Sequence, residues 1–161
     1  MAPWPAADAL FELAAPVGER AIVTGSDAAA RELIVRRAAT RGVAIEELDT
    51  LDAELLAGAA CVILAEPPGV LPARAFSVLA ARRLLIVPRL STSFGLEDGL
   101  DHLEFIDPDE SVTLVEAYRR YPDAFARIMA WGRLKAGPQR ASVAYGRLAA
   151  DLRLHGLAGA A

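Results

Sequence analysis

Ala60-Cys61-Val62-Ile63-Leu64-Ala65 is an unbroken apolar run that ends on Glu66-Pro67-Pro68-Gly69. It is too short for an ordinary helix, and it does not alternate as a strand with one wet face would. Such a run fits a strand covered on both sides, as in a parallel sheet packed between helices. Leu84-Leu85-Ile86-Val87 has the same character, and Ala21-Ile22-Val23-Thr24 and Val43-Ala44-Ile45 supply two more strands upstream. His102-Leu103-Glu104-Phe105-Ile106 alternates, which places it at a sheet edge. Helical periodicity fills the gaps between these runs. Strand and helix therefore alternate, the pattern of an α/β fold: a Rossmann-like open parallel sheet of about five strands with helices on both faces.

The helices carry their own punctuation. Asp27 caps a helix running to about Thr40, with Leu33, Ile34 and Ala38 on one face and Gly42 closing it. Thr50 or Asp49 starts a short second helix that Gly58 ends. Pro72 suits the first turn of a third, which turns Phe76, Leu79 and Ala80 inward, and Arg82 and Arg83 suit its negative end. Asp107-Pro108-Asp109-Glu110 reads as an Asp cap, a proline at the first helical position and a Glu reaching back to the cap's amide. Val112, Val115 and Tyr118 continue that helix; Tyr121-Pro122 restarts the chain into one with Phe125, Ile128 and Met129 on one side. Gly137-Pro138 precedes a last helix through Tyr145 and Leu148 to about Leu154.

The 161 residues, 54% of them hydrophobic, suit one domain with a substantial core. Its expected limits are residues 20–155, after an N-terminal helical extension over 1–19 carrying Leu10, Phe11 and Leu13 and before a flexible tail at 156–161. A net charge of -4 disfavours a surface built to neutralise nucleic-acid phosphates. Cys61 is the single cysteine and lies within the central apolar run, so burial is expected and an intrachain disulfide is excluded. Neither a signal peptide nor a transmembrane segment is legible, and the expected location is the cytoplasm. His102 and His155 read as isolated, with no metal site.

In an open parallel sheet, ligands bind beyond the carboxyl ends of the strands. The loop after the first strand holds Gly25 and Ser26 before a helix whose free amides suit an anion. After the third strand, Glu66 and Gly69 flank two stiffening prolines, and the carboxylate suits ribose or sugar hydroxyls. After the fourth, Arg89 with Ser91, Thr92, Ser93 and Gly95 suits a diphosphate. Each stretch also has a plain reading as turn and cap chemistry. The sequence contains no Gly-x-Ser-x-Gly elbow and singles out no catalytic residue.

Pro72 to Ala81, Gly95-Leu96-Glu97-Asp98-Gly99, Phe105 to Glu110, Gly132-Arg133 and Arg140-Ala141-Ser142 follow one another in an order and spacing that resemble the carboxyl-terminal, donor-binding domain of group 1 GT-B glycosyltransferases. The resemblance runs from Pro72 to about Leu148. It implies a nucleotide-diphosphate-sugar ligand, with no further cofactor, held by Gly25, Ser26, Glu66 to Gly69 and Arg89 to Gly95, and with Arg74 as a further cation. The family's ribose-binding glutamate aligns with Ser77, and counting eight residues from Glu66 for its acidic partner reaches Arg74. Such enzymes use two Rossmann-like domains, so the resemblance implies that glycosyl transfer needs a separate protein partner or a homo-oligomer. A non-catalytic interaction or scaffold protein derived from such a domain, as a homodimer, is the alternative expectation. A receiver-like domain is disfavoured because Asp27 alone stands where an acidic cluster is expected.

Overall fold

The computed structural model describes residues 19–90 and 94–137. The strands are β1 (Arg20–Thr24), β2 (Ile45–Glu47), β3 (Ala59–Leu64), β4 (Leu84–Pro88) and β5 (Leu103–Phe105), and every pairing between them is parallel. They form one five-stranded open sheet in the order β2-β1-β3-β4-β5. The helices are α1 (Ala28–Thr40), α2 (Ala53–Gly58), α3 (Arg74–Ala80), α4 (Pro108–Arg120) and α5 (Ala126–Ala136), with a 3-10 turn at Pro122–Phe125 before α5. The chain is a doubly wound, Rossmann-like α/β domain.

All six residues of β3 and all five of β4 are buried, the physical content of their continuous apolar runs. Alternation along the strands sends side chains into two separate cores. Val23, Cys61, Ile63, Leu84 and Ile86 meet Ile34 and Ala38 of α1 and Val112, Val115 and Tyr118 of α4 on one face. Ile22, Val62, Leu64, Leu85 and Val87 meet Leu56 of α2, Ala75, Val78 and Leu79 of α3 and Ala136 of α5 on the other. Burial pushes the Cys61 thiol up to about 12, so it packs as a small hydrophobe.

Local chemistry places the helix ends. The carboxylate of Asp27 accepts the Ala30 amide at 3.0 Å, and that of Asp107 accepts the Glu110 amide at 2.9 Å. Glu110 reaches back one residue further than expected, taking the Ile106 amide at 2.7 Å rather than that of the cap. The short α2 starts at Asp52, which accepts the Leu55 amide at 2.8 Å, not at Asp49 or Thr50. Pro72 stands two residues before α3, where its carbonyl accepts the Ala75 amide. The buried face of α3 is Ala75, Val78 and Leu79, with Phe76 and Ala80 half-buried at its flank. The second strand begins at Ile45, so Val43 is a buried loop residue beside it. The expected N-terminal and last helices lie outside the described residues.

The two arginines expected at the negative end of α3 differ in task. Arg83 crosses to α2 and donates to the carbonyls of Leu56 at 2.8 Å and Ala57 at 3.0 Å. Arg82 occupies the left-handed position that ends α3, with φ 56°, while the Arg82 amide bonds Leu79 O and the Arg83 amide bonds Val78 O. That bonding pattern is a helix terminus normally given to glycine, since a Cβ is strained there. Burial and the like charge of Arg133 lower the Arg82 pKa. Arg82→Gly is therefore expected to stabilise the fold by up to about 1 kcal/mol, raising the melting temperature by roughly 2–4 °C in a thermal melt. A lower melting temperature would mean that the arginine's own contacts outweigh the backbone strain.

Candidate functional site

The carboxyl ends of the strands are laced together by backbone hydrogen bonds. Ala65 N donates to Thr24 O at 2.7 Å and Asp27 N to Ala65 O at 3.0 Å, joining the exits of β1 and β3. Gly69 N donates to Arg89 O at 3.2 Å, and Arg89 N to Phe105 O at 2.9 Å, carrying the seam through the exits of β4 and β5. Gly25 lies where two of these loops touch: at φ 146°, a Cβ there would stand 2.1 Å from Ala65 O. Only glycine fits, because both the backbone angle and the close approach exclude a side chain.

At this seam three expected site residues converge. The Glu66 carboxylate accepts the Ser26 amide at 3.1 Å, the Ser26 hydroxyl and the Arg74 guanidinium. Glu66 is buried and Arg74 one-third exposed. Burial alone would raise the Glu66 pKa; the Ser26 hydroxyl, the Arg74 side chain, the Ser26 amide and the Arg74 charge together reverse that and hold it below the usual carboxylate range. The Glu66 carboxylate, expected to suit ribose or sugar hydroxyls, accepts the protein's own donors in this structure. It orients Ser26 and Arg74.

Three donors leave little of the carboxylate's capacity unused. Two neighbouring polar atoms are different. Thr24 Oγ1, at the end of β1, and Arg74 Nε are both buried without a hydrogen-bond partner among the described residues. Such atoms are uncommon and call for a physical explanation. On the far side of β1, Arg31 pairs with Glu47 at 3.4 Å and Asp49 at 2.8 Å, tying the exit of β2 to α1.

The remaining expected residues are spread along the rim. Gly69 takes φ 81°, giving the sharp exit that its amide bond to Arg89 needs. Arg89 is held by its backbone at both groups while its side chain is exposed. Gly95, at φ 77°, has its carbonyl held by Lys135 Nζ of α5 at 3.0 Å. Ser77 is exposed on α3 and takes no part in the Glu66 cluster. Ser91, Thr92 and Ser93 lie outside the described residues. An open depression of about 390 Å³ lined by Arg20, Ile45, Glu46 and Arg119 is at the opposite, amino end of β1 and β2, away from these residues.

One cluster escaped the sequence reading. His102, which reads as isolated in the sequence, is fully buried with Nδ1 2.7 Å from Asp101 and Nε2 3.2 Å from Glu104. The signal was present in the order Asp101-His102-Leu103-Glu104, but burial of the ring between both acids was not. Among the described residues no group of His, Cys, Asp and Glu is arranged to hold a metal, and no helix is long and apolar enough to cross a membrane.

What the fold defines is a single α/β domain with a polar, arginine-containing seam at the carboxyl rim. Compared with protein-family models and with curated proteins, the sequence gives no match to either.

Glu66→Gln tests the cluster. A carboxylate whose pKa falls on folding stabilises the native state above its unfolded pKa of about 4.3, and that stability is lost as pH drops through the folded value. The variant is expected to lose on the order of 2 kcal/mol at pH 7, as a buried charge-assisted network would, and to show a flatter acid limb in denaturation. Equal acid limbs in the two proteins would remove Glu66 from this role.

Proposed function

We propose that the carboxyl rim is the ligand site of a glycosyltransferase-like domain that binds a nucleotide-activated sugar. The observation that carries this reading is the position of the Ser26–Glu66–Arg74 cluster. β1 leads into α1 on one face of the sheet, and β3 leads toward α3 on the other. The two connections leave neighbouring strands for opposite faces, the switch point at which ligands of open α/β sheets bind. Ser26, Glu66 and Arg74 cluster at that switch point.

The geometry supports a role for each. Arg74, oriented by Glu66, and the exposed Arg89 supply positive charge for a diphosphate, whose oxygens a planar guanidinium can grip in pairs. Amides in the first turn of α1, other than that of Ala30, which the Asp27 carboxylate takes, add partial positive charge. If a sugar were transferred, these groups would stabilise the leaving diphosphate as charge develops on it. The exposed Ser77 leaves the resemblance without its ribose-holding carboxylate, so other groups must grip the nucleoside. Transfer also needs an acceptor site, which the proposal assigns to a partner chain or a second copy.

A second reading has its own observation. Val70, Phe94 and Ile106, on the loops leaving β3, β4 and β5, are 45%, 43% and 73% exposed. Apolar side chains set along one rim favour a covering protein surface, and hence an interaction or scaffold role for a domain of this type.

A thermal-shift titration with UDP-, GDP- and TDP-sugars decides between them. A ligand at about a hundred times its Kd stabilises the native state by about 2.7 kcal/mol, so one nucleotide class is expected to raise the melting temperature. Arg89→Ala is expected to abolish that shift while leaving the circular dichroism spectrum unchanged. No shift with any nucleotide, together with a stable dimer in light scattering, would replace the first reading with the second.

A further inference from the structure

We propose that His102 is a proton-operated latch that holds the returning loop 97–102 and the outer edge of β5 closed while the imidazole is charged. The geometry dictates the protonation state. Each ring nitrogen faces a carboxylate oxygen, Nδ1 that of Asp101 at 2.7 Å and Nε2 that of Glu104 at 3.2 Å. A neutral imidazole has one N–H to offer, whereas two acceptors require two; only the imidazolium satisfies both.

The loop is knit around this cation. Both oxygens of Asp101 accept the Glu97 amide, each at 3.1 Å, while Glu97 O accepts the amides of Leu100 and Asp101. Gly99 N donates to His102 O at 2.9 Å. Asp98 pairs with His102 as a bridge outside β5, and its carboxylate takes the Glu104 amide at 2.8 Å. The unpaired edge of a terminal strand is thus covered by the same residues that enclose the histidine.

Among the described residues, the other elements bring no competing charge to the ring. β4, paired along β5, presents the apolar Val87 opposite Glu104. α5 presses its backbone on the loop at Gly132, where a Cβ would come 2.7 Å from Asp101 O. Of the cations on α5, Lys135 holds Gly95 O and Arg133 bears on Arg82. Among the described residues, the titratable groups facing the latch are Asp101 and Glu104, with Asp98 behind the Glu104 amide. Burial would lower the His102 pKa, but the hydrogen bonds and charges of Asp101 and Glu104 outweigh it and raise it.

Opening is directional. Asp101 is buried and makes the shorter bond, so Nδ1 keeps its proton; Glu104 is 18% exposed and makes the longer one, so the proton leaves Nε2 to water. A lone pair then faces a carboxylate across 3.2 Å, and Glu104 turns outward. The Glu104–Asp98 tie loosens first, while the Glu97–Asp101 tie persists. Because the folded pKa is raised, the latch is fully closed below the unfolded value of about 6.5 and is lost as pH rises through the folded one.

Ring-nitrogen NMR and amide hydrogen exchange on the whole chain test this between pH 6 and 9. His102 is expected to titrate above about 6.5. The protection factor of the Glu104 amide is expected to fall up to about tenfold per pH unit between that value and the His102 pKa, with a smaller change at Glu97. Glu104→Gln is expected to lower the His102 pKa and flatten that dependence. A wild-type His102 titrating at or below about 6.5, or a Glu104 protection factor that stays level through the titration, would overturn the latch even if the variant failed to fold.

Discussion

The architecture depends on burying β3 on both faces. A strand whose six residues are all buried must be flanked by other strands and covered above and below. Parallel neighbours meet that demand, and they require crossover connections, which α1, α2 and α3 supply between β1 and β4. Every strand then ends on the same side, so the exit loops gather there. The rim is a consequence of the core.

Within the rim, satisfaction of backbone groups sets the fine structure. Thr24, Ala65, Gly69, Arg89 and Phe105 all contribute main-chain groups to the seam, so the loops behave as one surface. Gly25 permits that approach by having no Cβ to meet Ala65. Glu66, buried at the junction, needs donors and finds them in Ser26 and Arg74. The same rule operates on the far strand, where buried Asp101 and His102 satisfy one another and Glu104 completes the pair.

Much of the frame was legible from residues alone. Continuous apolar runs gave β3 and β4 nearly to the residue, and alternation gave β5 its edge. Side-chain caps located α1 and α4 because Asp27 and Asp107 act on amides three residues away. The short elements were less legible: three-residue β2 and six-residue α2 carry too few positions for a period to show, and their starts moved by two or three residues. Arg83 was misplaced because its partners, Leu56 and Ala57, are distant in sequence.

The sequence by itself determined the parallel α/β frame, the residues of the core and the side of the sheet where polar loops collect. These follow from patterns confined to a few neighbouring residues. Only the tertiary structure decided that Glu66 engages Ser26 and Arg74, that Arg83 reaches across to α2, and that His102 is enclosed between two acids. Such pairings depend on which side chains burial brings within hydrogen-bond reach, and that is fixed when the layers pack.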